Sequence, residues 1–130
     1  MDFAIEEMSL SAWPALQTAV YDGWVIRFAE GYTKRSNSVN PLYASALPLG
    51  GKIEACEAMY AARRLPTIFK ITAAESQRPI DEALAARGYA RIDETRVMTL
   101  DLGAGATGAV AAPSSVALAE AFDDEWIEAY

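Results

Sequence analysis

The dipeptide Asp22-Gly23 stands between two apolar runs in "AVYDGWVIRF". Asp-Gly so flanked is a hairpin signal, because a two-residue turn between strands needs positive φ at its centre and these residues tolerate it. The run that follows alternates: Trp24, Ile26 and Phe28 fall on one face, and Val25, Arg27 and Ala29 on the other. A loop at Gly31 comes next, and "SVNPLYASAL" reads as a returning strand. Pro41 interrupts it, which implies an edge, a bulge or a bend.

The rest of the chain alternates helix and strand. Residues 4–11 form a short helix closed by Pro14. Gly50-Gly51 precedes a helix at 52–64, whose apolar stripe is Ile53, Cys56, Met59 and Tyr60. Glu54 and Glu57 lie early in it and Arg63 and Arg64 at its end, each suiting the helix dipole. Leu65-Pro66 stops it. "TIFKIT" at 67–72 reads as a buried strand. A second helix at 79–87 starts on Pro79 and ends at Gly88, and "YARIDETRVMTLDL" reads as a long strand. The fold expected is α/β: a mixed, mostly antiparallel sheet flanked by helices, rather than a helical bundle. Residues 1–102 make the main domain. Residues 103–113, "GAGATGAVAAP", are a Gly/Ala linker or loop. Residues 114–130 hold a final strand and the start of a helix with Asp123 as its N-cap. That helix is short for its own stability, as if it led into a further segment.

Composition narrows the chemistry. The 130 residues carry a net charge of -7, against the basic face that nucleic acid requires. There is no histidine, which removes the commonest general base near neutral pH, the usual nucleophilic triads and most zinc sites. No metal is expected. The single cysteine, Cys56, lies on the apolar stripe and reads as core. No apolar run approaches a membrane span, and the acidic "MDFAIEEM" lacks the positive charge of a signal peptide, so a cytoplasmic location is expected.

The order strand, Gly loop, helix, strand, helix-Gly-Tyr, strand resembles the GNAT superfamily of acetyl-CoA-dependent N-acetyltransferases. "YDGWVIRFAEGYTKRSNSVNPLY" and "KIEACEAMYAARRLPTIFKIT…IDEALAARGY" are similar to the N-terminal half of a subgroup with two tandem GNAT-like halves. The resemblance covers about 20–102, and the tail at 123–130 looks like the junction into the second half. It implies acetyl transfer from acetyl-CoA to an amine, with the better cofactor motif in the C-terminal half of the same polypeptide. An isolated N-terminal half would expose an apolar surface, and a homodimer could cover it.

The family's cofactor loop, Gln/Arg-x-x-Gly-x-Gly/Ala, aligns with "LPLGGK". Gly50 matches, but Leu47 and Lys52 depart from the pattern. Two readings stand: a two-glycine turn before a helix, or a weak anion site of Gly50, Gly51 and Lys52. The family's thiolate-protonating tyrosine aligns with Leu84, which cannot donate a proton. Glu30, Glu57 and Asp101 are the carboxylates available as a base if one is buried. The polar stretch "EGYTKRSNSVNPLY" reads either as a solvated hairpin or as a cleft wall. In the second reading Arg27, Tyr32, Asn37 and Asn40 face the cleft or the partner half, and position substrate or brace the interface. Three functions follow: half of an N-acetyltransferase, a degenerate non-catalytic module for interaction or small-ligand binding, or a self-sufficient miniature enzyme. Leu47, Lys52 and Leu84 weigh against the last.

Overall fold

The computed structural model describes residues 3–100 and 103, and the chain divides into two compact units, 1–92 and 93–130. The first unit holds all the regular elements described. They are α1 (Phe3–Ala12), β1 (Gln17–Tyr21), β2 (Trp24–Phe28), β3 (Val39–Pro41), α2 (Leu49–Ala61), a 3-10 turn (Glu75–Gln77) and α3 (Arg78–Ala86).

The hairpin forms as its turn chemistry requires. Asp22 and Gly23 both take positive φ, 43° and 81°, and Tyr21 pairs with Trp24 across them. Gly23 is obligatory for a second reason: a Cβ there would lie 2.2 Å from the Ala44 carbonyl oxygen. β3 joins β2 antiparallel, with Val25 opposite Asn40 and Ile26 opposite Val39, so the sheet order is β1-β2-β3. The expected strand at 67–72 narrows to a parallel bridge of Phe69 with Val39. Val39 N–H donates to Ile68 O at 2.8 Å and Lys70 N–H to Val39 O at 2.9 Å.

β2 is buried along its whole length, because helices cover both faces. Trp24, Ile26 and Phe28 meet Val39, the α2 stripe Ile53, Cys56 and Tyr60, and Leu84 of α3. Tyr60 donates its hydroxyl to the Arg27 carbonyl at 2.7 Å, satisfying the one polar atom it carries into this layer. On the other face, Val25, Arg27, Ser38 and Asn40 lie toward α1, which is tied down by Lys70 Nζ–Glu6 Oε2 at 2.5 Å and Tyr43 Oη–Glu7 Oε1 at 2.7 Å. The result is the mixed α/β architecture that the sequence order implies.

Several boundaries differ from expectation. The returning strand read over "SVNPLYASAL" is confined to Val39–Pro41. α2 starts at Leu49, not 52, so Gly50 and Gly51 occupy its first turn, directly after Pro48. It also ends earlier, at Ala61. Arg64 takes the left-handed conformation at φ 57°, and Leu65 N–H returns to the Tyr60 carbonyl at 3.0 Å, closing the helix there. The long strand expected at 89–102 is not formed in residues 89–100. Val97, Met98 and Leu100 are exposed. Alternation supplies a face, but a strand also needs a neighbour for its N–H and C=O groups, and none is paired with it among the described residues. Asp101, the final strand expected at 114–122, the helix from Asp123 and nearly all of the 103–113 linker lie outside the described residues.

Candidate functional site

The turn after β2 carries an unusual backbone. Glu30 and Gly31 are both left-handed, with φ of 52° and 79°. Glycine adopts this freely, but glutamate does so at a cost. Asn37 holds the turn. Its Oδ1 accepts from Ala29 N–H at 2.7 Å and Gly31 N–H at 3.0 Å, while its Nδ2 donates to the Thr33 carbonyl at 2.7 Å. A single buried amide thus satisfies three backbone groups that no strand partner reaches.

The clamped turn forms one wall of a cleft of about 390 Å³, lined by Leu16, Gln17, Phe28, Glu30, Arg63 and Leu65. The other wall is the end of α2. There Arg63 lies over the Phe28 ring, 3.9 Å from its centroid, and donates from Nη1 to the Met59 carbonyl at 3.0 Å. Leu65 also lines a neighbouring cleft of about 210 Å³ with Gly31, Thr33, Lys34, Asn37, Pro66 and Ile68. Each wall contains one left-handed non-glycine residue, Glu30 on one and Arg64 beside Arg63 on the other. Such backbone persists where surroundings over-determine it, which is common at binding sites.

Of the two candidate bases among the described residues, Glu30 lines a cleft and Glu57 lines neither. Glu57 accepts from Arg87 Nη2 at 2.8 Å and from the Tyr89 hydroxyl at 3.0 Å, and the Arg87 bond above all holds its pKa below the usual range. A carboxylate stabilised as an anion makes a poor base. Asp101 falls outside the described residues.

The polar residues expected at a cleft divide. Asn37 braces its wall. Tyr32 is 82% exposed and lines neither cleft. Arg27, 2% exposed, faces away from the cleft: it donates to the carbonyls of Arg35 at 2.9 Å, Leu10 at 3.2 Å and Trp13. Its guanidinium therefore closes the C-terminal end of α1 on the far side of the sheet. Asn40, 5% exposed, lies on that same far face. Its Nδ2 donates to the Val25 and Ser38 carbonyls at 3.2 and 3.0 Å, and its Oδ1 is buried without a partner.

At the aligned cofactor loop, a Cβ on Gly50 or Gly51 would meet nothing within 4 Å, so the backbone there is open. The charge is arranged differently. Lys52 turns inward, fully buried, with Nζ 2.6 Å from the Asp22 carbonyl, 3.0 Å from Asp22 Oδ2, against Ser45 Oγ and 4.0 Å from the Trp24 ring centroid. Asp22 in turn accepts from Ala46 N–H at 3.0 Å, Leu47 N–H at 2.9 Å and Ser45 Oγ at 2.7 Å. The two backbone donors, chiefly, hold its pKa far below the ordinary carboxylate value. Asp22, an internal carboxylate, thus engages the Leu47 N–H and the Lys52 ammonium of this loop, so the lysine is turned away from any anion at Gly50 and Gly51. No sequence motif announces this, since Asp22 also reads as a turn residue. Nor does any motif announce Arg63 at the cleft, where it reads as a helix-end cation.

Among the described residues no cluster of metal-ligating side chains occurs, and no helix is long and apolar enough to cross a membrane. A family model described as "Probable histone acetyltransferase Rv0428c C-terminal" matches residues 3–130. The "Uncharacterized N-acetyltransferase YobR" of Bacillus subtilis (strain 168) is 36% identical over 96 residues, which are 73% of this chain and 37% of that relative. The chain thus spans well under half of that relative's length. No solved structure matches the chain.

Proposed function

Because the chain belongs to the family described as probable histone acetyltransferase Rv0428c C-terminal, and so to the GNAT-type N-acetyltransferases, we propose that it is the acceptor-side half of an acetyl-CoA-dependent N-acetyltransferase. The family match over 3–130 carries the acetyltransferase part of this reading. In the reaction, an amine nitrogen attacks the thioester carbonyl carbon. The C–N bond forms and the C–S bond breaks. The amine proton is lost, and coenzyme A leaves as its thiol.

The division of labour rests on two features. Asp22, at the hairpin tip, neutralises Lys52 in the loop where the pyrophosphate would lie. Leu84, in the place of the family's proton donor, is buried in the core. We assign the acetyl-CoA site and the thiolate's proton donor to a C-terminal half of the same polypeptide, with the cleft at Glu30 and Arg63 offered to the acceptor. Thiol release from acetyl-CoA over a panel of amines tests this. The full product of the coding sequence should turn over, while the 130-residue chain alone should not. Absence of amine-dependent release from the full product would refute the enzyme reading. Turnover by the chain alone, or its tight binding of acetyl-CoA, would refute the division. The same two features favour a second reading, a non-catalytic module of this fold, and the full-product assay separates the two.

A further inference from the structure

We propose that the cleft between Phe28–Gly31 and Arg63–Leu65 binds a small zwitterion of the amino-acid class, its ammonium on Glu30, its carboxylate on Arg63 and its apolar frame against Phe28, Leu16 and Leu65. As an acceptor site this rests on the acetyltransferase reading; as a binding site it stands independently.

Three observations converge. The lining is bipolar: it holds one carboxylate and one guanidinium, and the remaining walls are mostly apolar. That pattern selects a ligand with both charges, because a ligand with one charge leaves the opposite wall group unmatched. Second, both charged groups are available. Among the described residues Glu30 has no side-chain partner, and Arg63 spends only its Nη1 on Met59 while its face rests on Phe28. A guanidinium so stacked presents its other N–H groups edge-on, which is the geometry a carboxylate takes up in pairs. Third, Glu30 is held in a left-handed backbone that a glycine would occupy without cost, by an asparagine that grips the residues on both sides of it. The fixed backbone sets where the Glu30 side chain leaves the cleft wall. A cleft of about 390 Å³ also matches the lower range of small-ligand sites.

The chemistry has a consequence for product. Acetylation turns an ammonium into a neutral amide, so Glu30 loses its partner and the product is held less tightly than the acceptor.

The test uses L-leucine and its two single-charge relatives of the same carbon frame, 3-methylbutylamine and 4-methylpentanoate, with N-acetyl-L-leucine as the product analogue. Binding is followed by amide chemical shifts of 15N-labelled chain at low ionic strength. Leucine should shift the amides of Glu30, Gly31, Arg63 and Leu65. It should bind about three- to fivefold more tightly than each of the other three, the upper part of the range for exposed ion pairs. Glu30→Gln should abolish the difference between leucine and 4-methylpentanoate, and Arg63→Gln the difference between leucine and 3-methylbutylamine. Both side chains are exposed, so the variants should melt with the parent. Equal binding of all four probes, shifts confined elsewhere, or no shift at millimolar probe would overturn the proposal. Leucine binding without thiol release by the full product sinks the acetyltransferase reading and leaves the cleft assignment standing. Thiol release that is as fast with 3-methylbutylamine as with leucine at limiting acceptor leaves the acetyltransferase reading standing and overturns the cleft as its acceptor site.

Discussion

Arg27 decides more of the stability than its position in a strand suggests. It is a buried cation with three carbonyl partners, Leu10 and Trp13 at the end of α1 and Arg35 in the loop after β2. Arg27→Ala should therefore lower stability by about 3 kcal/mol or more, since hydrogen bonds to a charged group are worth roughly 1.5–3 kcal/mol each. Arg27→Lys should restore little, because an ammonium cannot span the same three oxygens. Chemical denaturation of the three proteins checks this, and a parent-like Arg27→Ala would show that α1 docks without it. Asn37→Ala acts on the cleft side instead. It strips the Ala29 and Gly31 N–H groups of their acceptor, at about 1–3 kcal/mol for a buried group. It should also accelerate amide exchange at Gly31 ahead of the sheet. Uniform exchange across the unit would argue that Asn37 does not hold the turn.

At the level of elements, the end of α2 is held in a costly form. Arg64 occupies the left-handed position that glycine takes without strain. Arg64→Gly should stabilise the chain by about 0.5–1 kcal/mol if its side chain does nothing else, the roughly 1–2 kcal/mol of left-handed strain relieved less the roughly 0.5–1 kcal/mol of entropy that glycine costs. A loss of stability in thermal melts would reveal that the Arg64 side chain itself braces the wall. The α2 start is the opposite case. Gly50 and Gly51 weaken the first turn, yet Lys52 one step on fixes it through Asp22 at the hairpin tip. Helix and hairpin are thus joined by an ion pair over the Trp24 ring.

Across the whole molecule, the titrating groups limit stability at both ends of the pH scale. Glu57 is held below its ordinary 4.5, chiefly by Arg87, and Asp22 below its ordinary 3.8. Both are depressed carboxylates, so their contributions are complete above those values and are lost as pH falls below them. Cys56 moves the other way, pushed up from 9.0 to about 11 by burial. The folded state retains that proton where the unfolded chain releases it, so stability falls as pH rises through 9 toward 11. Denaturant midpoints across pH should show a plateau between these limits, with the alkaline loss removed in Cys56→Ala. An alkaline limb unchanged in that variant would assign it to the tyrosines Tyr60 and Tyr89, whose pKa values burial also raises. The hairpin at Asp22-Gly23, the two faces of β2 and the α2 stripe were legible in the sequence, because each is set by neighbours within a few residues. So was the α/β order, and with it the resemblance to the acetyltransferases. The long strand after Tyr89 was not, because alternation specifies a face but not the backbone partner. Nor were the roles of Lys52 and Arg27, since their partners lie 30 residues away at Asp22 and 8 to 17 residues away at Arg35, Trp13 and Leu10. Chain order alone determines which residues can be buried. Only tertiary packing decides which charges meet inside, as Lys52 and Asp22 do, and which remain at a cleft, as Glu30 and Arg63 do, because a buried ion must find its partner in space.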